Sequence, residues 1–464
     1  MNRAPRSPRG GFRGKKVTVV GLGTFGGGVG AARFFVEEGA DVLVTDLRRR
    51  EKLLASLGSL EGLPIRYRLG ENRPEDVSDC DLAVFSPAVP PASPLIRAAR
   101  AASTPITSPL NILWDRMEAY PIGVTGTRGK TTTTALLTDM IRESGRPVFS
   151  GGNIGGSLLG QADRLGPDVT VVLELSSFQL HWLRELSVSP KVSVITNFSP
   201  HHLDWHEDSA SYATAKRGIL EFQASGDAAI LNRDDPTVRE WGLDAPARTF
   251  WFSTGDASNV DSMLKDGKLW IRIDGTMEAI CAVDEIPIRG KFQPSNVMAA
   301  ALAARAVGID LEAIRSAVLG FRGLPHRLER VATLEGVEFF NDSKATTPAA
   351  AAAAIESLEG PIHWIGGGKE SDESIGPIAR AAAGRVAKAY LFGEAGPRIA
   401  REIESAIPLR IVCKSLEEAV RLVREEAKEG CTILLSPGCA SYDQYLNYEE
   451  RGDEFKRLVI GVVQ

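Results

Sequence analysis

The 464-residue sequence is poor in several features that usually narrow a reading. Cysteine is scarce. Cys80, Cys281, Cys413, Cys431 and Cys439 are odd in number and widely separated, with no C-x-x-C pair. That excludes a disulfide framework and a cysteine-type zinc site, and points to reduced thiols. Long apolar runs are missing too, so no membrane-spanning segment is expected. Positive charge is not in excess: 54 Lys+Arg face 59 Asp+Glu, a net charge of −5, which argues against binding nucleic acid through phosphate contacts. Met1–Arg13 is rich in Arg, Pro and Gly but lacks the apolar core of a secretory signal, and reads as a short disordered tail. Hydrophobic content of 43% and charged content of 24% are ordinary for a globular chain. A soluble cytoplasmic protein of about two to four domains is expected.

What is present centres on Pro121-Ile-Gly-Val-Thr-Gly-Thr-Arg-Gly-Lys-Thr-Thr-Thr-Thr134. An apolar lead-in (Ile122, Val124) runs into Gly123, Gly126 and Gly129, then Lys130 and a helix-compatible run to Ile141. The pattern is strand, glycine-rich loop, helix. Glycines let backbone N–H groups and the helix N-terminus approach a phosphate. Lys130 is placed to reach β/γ-phosphates and the Thr131 hydroxyl to hold Mg²⁺. Gly123, Thr127 and Thr132 belong to the same nucleotide loop.

Upstream, Lys16-Val-Thr-Val-Val-Gly-Leu-Gly-Thr-Phe-Gly26 reads as a buried strand entering a second glycine-rich turn, followed by a helix. The strand Asp41–Asp46 ends in an acid roughly twenty residues past the glycines, the spacing of a dinucleotide fold. No hydride-acceptor site accompanies it, and the same element holds any diphosphate-bearing nucleotide. Its candidate contacts are Gly23, Thr24, Phe25, Asp46 and Arg48. Pro/Ala/Ser-rich sequence up to Pro109 closes this first region.

Beyond the loop, Gly151–Gly156 is another glycine-rich turn, with Asn153 the one side chain there able to grip a ligand. Asp168–Glu174 is an apolar strand ending in an acid, where a carboxylate helps hold Mg²⁺. The sequel Leu175-Ser-Ser-Phe-Gln179 is unusually polar for a continuing strand. After the strand Val192–Asn197 come His201, His202, Asp204 and His206. Zinc is one reading of that loop, but a hard Mg²⁺ site beside a triphosphate needs only one imidazole plus carboxylates. His201 and His206 read as structural or solvent-facing. Tyr212–Leu220 is a helix carrying Lys216 among small residues.

The series Gly123–Thr132, Glu174, Asn197, His202-x-Asp204 and Tyr212-x-x-x-Lys216 resembles the Mur ligases of peptidoglycan synthesis, ATP-dependent enzymes that extend a UDP-N-acetylmuramoyl precursor. The resemblance implies an α/β protein of three domains. These are a Rossmann-like UDP-substrate domain (1–108), a central P-loop ATPase-type domain (109–322) and a Rossmann-like amino-acid domain (323–464). It implies two Mg²⁺ sites, one on Thr131 and Glu174, the other on His202 and a carbamylated Lys216. By the same resemblance Lys130, Glu174, His202 and Lys216 are catalytic. ATP is held by Gly123, Gly126, Thr127, Gly129, Lys130, Thr131, Thr132, Asn296, Arg327, Asp342 and Lys344. The UDP substrate is held by Gly23, Thr24, Phe25, Asp46, Arg48, Asn153, Ser176 and Gln179. One departure is Gly290-Lys-Phe-Gln-Pro-Ser-Asn296, where Phe292 and Gln293 stand in place of the family's His and Asn.

Two C-terminal stretches, Asn341-Asp-Ser-Lys-Ala-Thr346 and Ser436–Gly452, follow the pattern of the family members that add D-glutamate. They imply UDP-N-acetylmuramoyl-L-alanine and D-glutamate as substrates, with Thr346, Ser441, Tyr442, Tyr448 and, after a glycine run, Lys369 at the amino acid. A cytoplasmic monomer serving cell-wall biogenesis, cell shape and cell division is implied. Closure about joints near Ser108 and Gly323 is expected before chemistry. Two alternatives stand beside this reading. A folylpolyglutamate synthase lacks the N-terminal Rossmann-like domain, and a dinucleotide-binding oxidoreductase needs a hydride site.

Overall fold

The computed structural model describes residues 11–23, 26–199, 205–206, 208–255, 258–288, 290 and 292–461. Three sheets carry the chain. The first is built from β1 (Lys16–Val20), β2 (Asp41–Asp46), β3 (Ile65–Leu69), β4 (Leu82–Phe85) and β5 (Ile106–Thr107), in the order β3-β2-β1-β4-β5. All its pairs are parallel. Val17, Val19, Val42, Val44 and Val84 are buried, the near-continuous apolar signature of strands covered on both faces.

The second sheet contains β6 (Tyr120–Thr125), β7 (Val148–Gly152), β8 (Thr170–Glu174), β9 (Val192–Ile195), β10 (Ala228–Asn232), β11 (Arg248–Ser253), β12 (Ser262–Lys265), β13 (Lys268–Ile273) and β14 (Thr276–Ala282). Its order is β14-β13-β12-β11-β10-β9-β6-β8-β7. The strands are parallel from β7 through β12, and an antiparallel β12-β13-β14 meander extends one edge. From β6 the chain goes first to β7 and β8 on one side and then to β9 on the other. The carboxyl end of β6 is therefore the topological switch point, where α/β sheets bind ligands.

The third sheet runs β15 (Glu329–Leu334), β16 (Val337–Asn341), β17 (Ile362–Gly367), β18 (Val386–Phe392), β19 (Arg410–Val412) and β20 (Thr432–Gly438), in the order β15-β16-β20-β17-β18-β19. Only the β15-β16 pair is antiparallel.

The chain forms two compact units: residues 1–283 with 294–318, and residues 284–293 with 319–464. The first two sheets thus share a unit. Phe85 stacks on Trp182 with centroids 5.9 Å apart, and Asn111 Nδ2 donates to Trp182 O at 2.9 Å. Arg116 pairs with Glu38 at 3.1 Å, both largely shielded from water. Ser108, expected at a joint, is fully buried and caps the helix Pro109–Arg116 inside this unit. Residues 11–13, expected in a disordered tail, are ordered parts of the fold. Phe12 packs edge-on against Phe34 and Phe35, and the Arg116 guanidinium lies over its ring. An aromatic residue in an otherwise Arg/Pro/Gly stretch has apolar area to bury, and this is where it goes.

Candidate active site

The nucleotide loop leaves β6 at Thr125 and enters the helix Lys130–Glu143. Gly126 has φ +145° and Gly129, the helix N-cap, has φ +82°. A Cβ at Gly126 would overlap Thr196 Oγ1, and one at Gly129 would overlap Asn296 Oδ1, so neither position accepts a side chain. The loop is clamped from β9: Thr127 N donates to Asn197 O (3.0 Å), Arg128 N to Asn197 Oδ1 (2.9 Å), and Asn197 Nδ2 to Arg128 O (3.0 Å). Thr127 Oγ1 donates to Ser199 O at 3.0 Å. Lys130 folds back over the loop, its Nζ donating to Gly126 O (3.0 Å) and Thr127 O (3.1 Å). The result is a glycine loop fixed by Asn197, crossed by a cation and leading into a helix N-terminus, an element suited to anions.

Beside the loop lie Glu174, the last residue of β8, and Lys216, on the helix Ser209–Glu221. Lys216 is 2% exposed and donates to Gly126 O at 2.8 Å and Thr125 Oγ1 at 3.3 Å, with its ammonium 5.1 Å from the Tyr212 ring centroid. Burial, reinforced by the Lys130 charge, holds its pKa well below the ordinary lysine value, with Glu174 pulling the other way. Burial thus favours the neutral, nucleophilic amine over the ammonium.

Glu174 Oε1 accepts from Asn153 Nδ2 at 2.9 Å. Glu174 Oε2 is buried and accepts no hydrogen bond among the described residues. An orphaned carboxylate oxygen is costly to bury. Carboxylate and Thr131 hydroxyl are hard oxygen donors, so the set fits Mg²⁺. No cluster of three or more His, Cys, Asp or Glu suited to a metal occurs among the described residues. His202, Asp204 and His201 lie outside the described residues. His206 is buried, with Nε2 2.9 Å from Ser177 Oγ and its ring against Trp205 and Tyr212.

Around the first glycine-rich turn, Asp46 is buried and accepts from Gly23 N (3.0 Å) and Arg48 N (2.8 Å), so its carboxylate fixes the turn. Gly26 (φ +84°) caps the helix Gly27–Glu37, and its Cα side faces Gly156 of the Asn153 turn. Two glycine-rich turns thereby face each other within one unit. Thr24 and Phe25 lie outside the described residues. Ser176 and Gln179 form a capping box on the helix Ser177–Arg184: Ser176 Oγ accepts from Gln179 N (3.2 Å), and Gln179 Oε1 accepts from Ser176 N (3.0 Å).

In the second unit, the loops after β16, β20, β17 and β18 line the carboxyl edge of adjacent parallel strands. Asn341 Nδ2 donates to Glu329 Oε2 (3.0 Å) and Gly452 O (3.2 Å), and lies 3.0 Å from His326 Nδ1. His326 (φ +61°) and Leu328 (φ +44°) both adopt left-handed backbone, a strained segment fixed by these bonds. Arg327 sits between them, exposed. Asp342 is buried, accepting from Ser436 Oγ (2.7 Å) and Leu328 N (3.2 Å). Lys344 Nζ lies 5.1 Å from the Tyr448 ring centroid. Thr346 is half-buried, Ser441 is buried at the start of a turn, and Tyr442 is 61% exposed. Lys369 N donates to Ala440 O at 2.8 Å, which brings the glycine run beside Ser441. Phe292 is exposed and Gln293 opens the helix Gln293–Ala306, on which Asn296 is buried 3.5 Å from Thr133 Oγ1.

Sequence reasoning passed over Arg451. Its side chain is wholly buried and donates to Ser343 Oγ (3.0 Å), Ser343 O (2.9 Å) and Cys439 O (3.1 Å), stitching the β16 and β20 loops together. Burial lowers its pKa to about 10. The signal available was an arginine one helical turn after Tyr448, on the same face.

Burial pushes the Asp342 carboxyl up to about 7, opposed by the Ser436 and Leu328 hydrogen bonds and by Arg327. A carboxyl raised above its unfolded value binds extra protons in the folded state. The stability it contributes is therefore present at low pH and is lost as pH rises through about 7. The thermal midpoint of Asp342→Asn relative to the parent should therefore rise by about 3 °C or more between pH 5 and pH 8. An equal difference at both pH values would contradict this assignment.

Comparison with known proteins finds relatives along nearly the whole chain. The MurD-like N-terminal domain of Mur ligases matches residues 15–108, the Mur ligase middle domain 124–304, and the Mur ligase glutamate ligase domain 326–439. The UDP-N-acetylmuramoylalanine–D-glutamate ligase of Roseiflexus sp. (strain RS-1) is 40% identical over 458 residues, covering 96% of this chain and 98% of that protein. That of Symbiobacterium thermophilum is 39% identical over 451 residues, with 96% and 98% covered. Among solved structures, the UDP-N-acetylmuramate–alanine ligase MurC of Thermotoga maritima aligns with a TM-score of 0.61 at 19% identity, covering 97% of this chain and all of the other. A pseudomurein peptide ligase type C from Methanothermus fervidus aligns at 0.55 and 19%, with the same coverage. At such identity the structural likeness bears on the fold.

Proposed function

The chain belongs to the Mur ligase family, and from that premise we propose that it joins D-glutamate to the L-alanyl carboxylate of UDP-N-acetylmuramoyl-L-alanine, cleaving ATP to ADP and phosphate. The observation that carries this reading furthest is the glycine loop held under Lys130, with Lys216 and the orphaned oxygen of Glu174 buried beside it. A free carboxylate is a poor electrophile, and a phosphate site built this way serves to activate one.

In the proposed reaction a substrate carboxylate oxygen attacks the γ-phosphorus as the bond to the β–γ bridging oxygen breaks, releasing ADP and leaving an acyl phosphate. The deprotonated D-glutamate amine then attacks the acyl carbon. The carbon–oxygen bond to phosphate breaks, and phosphate departs with the electron pair. Loop amides and Lys130 neutralise the phosphates and hold them in line. Asn153 orients Glu174. Thr131 and Glu174 would hold one Mg²⁺, and His202 with Lys216 as its carbamate a second; bound there, the metal would supply further charge neutralisation on the phosphates. The carbamate forms when the neutral Lys216 amine bonds to the carbon of CO2 and loses a proton. The cost of burying a lysine is then offset by conversion to a carboxylate-like ligand.

UDP-precursor labelled with ¹⁸O in the alanyl carboxylate tests the mechanism. The acyl phosphate route delivers one ¹⁸O per turnover to inorganic phosphate, and unlabelled phosphate would contradict it. For the amino-acid crevice, Thr346→Ala and Ser441→Ala should each raise KM for D-glutamate about tenfold or more, the worth of one hydrogen bond to a charged group, with KM for ATP unchanged. Equal rises in both constants would move these residues out of the crevice.

A further inference from the structure

We propose that Glu394 is a placeholder in the amino-acid crevice, a carboxylate of the protein that occupies the Lys369 ammonium until a substrate carboxylate displaces it. This rests on the reading that Lys369 belongs to the D-glutamate site.

Lys369 follows β17, Glu394 follows β18, and Ala440–Asp443 follow β20, so three neighbouring strands deliver them to one edge of the sheet. The backbones are fixed. Lys369 N donates to Ala440 O (2.8 Å), Ala395 N to Gly368 O (2.9 Å), and Glu394 N to Asp443 Oδ2 (3.2 Å). Gly393 (φ +72°) has no room for a Cβ, which would overlap Asp443 Oδ2 and come within 2.9 Å of Gly368 Cα. On this rigid frame the side-chain ends stay open. Lys369 Nζ meets Glu394 Oε2 at 2.6 Å, with the two side chains 43% and 47% exposed. A neighbouring cation, Arg398, is already engaged by Glu370 (2.5 Å), Glu402 (3.0 Å) and the carbonyls of Ser371 and Glu373. Lys369, held by a single exposed carboxylate, is a cation an entering carboxylate can claim.

An exposed ion pair is weak and exchanges readily, because water competes for both partners. Replacing Glu394 by a substrate carboxylate leaves the charge around the ammonium unchanged and returns Glu394 to solvent. The exchange acts equally on the bound ground state and the transition state, so its cost falls on KM and not on kcat.

The test is steady-state kinetics on Glu394→Gln and Glu394→Ala, with the parent enzyme and Lys369→Ala alongside. The expected result is a fall in KM for D-glutamate of about two- to five-fold in both Glu394 variants, with kcat, KM for ATP and thermal midpoint unchanged. Lys369→Ala should raise KM for D-glutamate, and adding Glu394→Gln to it should have no further effect. An unchanged or higher KM in the Glu394 variants of an active parent overturns the placeholder alone. A parent that releases no phosphate in response to D-glutamate overturns the ligase reading, and the placeholder with it.

Discussion

Lys216→Ala is expected to cut turnover by about a thousandfold or more while leaving the fold in place. The side chain is buried and directed at the Gly126 carbonyl, in a pocket shared with Lys130 and Glu174. Burial, with the Lys130 charge adding to it, depresses the Lys216 pKa and disfavours a bare ammonium there. As the proposed carbamate Lys216 would instead contribute negative charge beside the unsatisfied oxygen of Glu174. Truncation to alanine removes that charge, and added bicarbonate cannot restore it, having no amine to react with. A small carboxylate such as formate or acetate fits the vacated space and should recover part of the activity. Circular dichroism and thermal unfolding confirm folding of the variant. Full activity in Lys216→Ala would remove the carbamate from the mechanism.

Gly126→Ala should lower kcat/KM for ATP by about a hundredfold or more, the scale of loss when reacting groups are misplaced by about 1 Å. Its φ of +145° disfavours any side chain, and a Cβ would overlap Thr196 Oγ1 and lie 3.2 Å from both Asn197 N and Asn197 O. Asn197 is the residue that clamps the loop, so the methyl group pushes against the clamp itself. The Gly126 carbonyl also receives both Lys130 and Lys216. Moving it disturbs both cations at once. KM for D-glutamate should not change. Activity within threefold of the parent would mean that the loop tolerates displacement.

Much of the site was legible because its signals are local. Strand, glycines, Lys130 and helix lie in one short stretch, and backbone geometry needs nothing distant to explain it. Glu174 was legible as an acid ending an apolar strand. Other features depend on tertiary contacts. Asp46, expected at the UDP substrate, also accepts from the backbone amides of Gly23 and Arg48, contacts that spacing alone does not reveal. Ser176 and Gln179 looked like an interrupted strand, yet Ser-x-x-Gln is a capping box and the polarity belongs to a helix start. Arg451, in a run of charged residues, reads as surface until two loops close over it. The meander β12-β13-β14 and the return of residues 284–293 to the second unit left no mark strong enough to read. The union of the first two sheets was likewise invisible, because it rests on pairs such as Phe85 and Trp182 that lie far apart in sequence.

The most direct measurement is phosphate release from ATP with UDP-N-acetylmuramoyl-L-alanine, comparing D-glutamate, L-glutamate, D-aspartate, L-alanine and meso-diaminopimelate as acceptors. Release with D-glutamate alone is the expected result. Release with another amino acid but not D-glutamate, or with none of them, would contradict it.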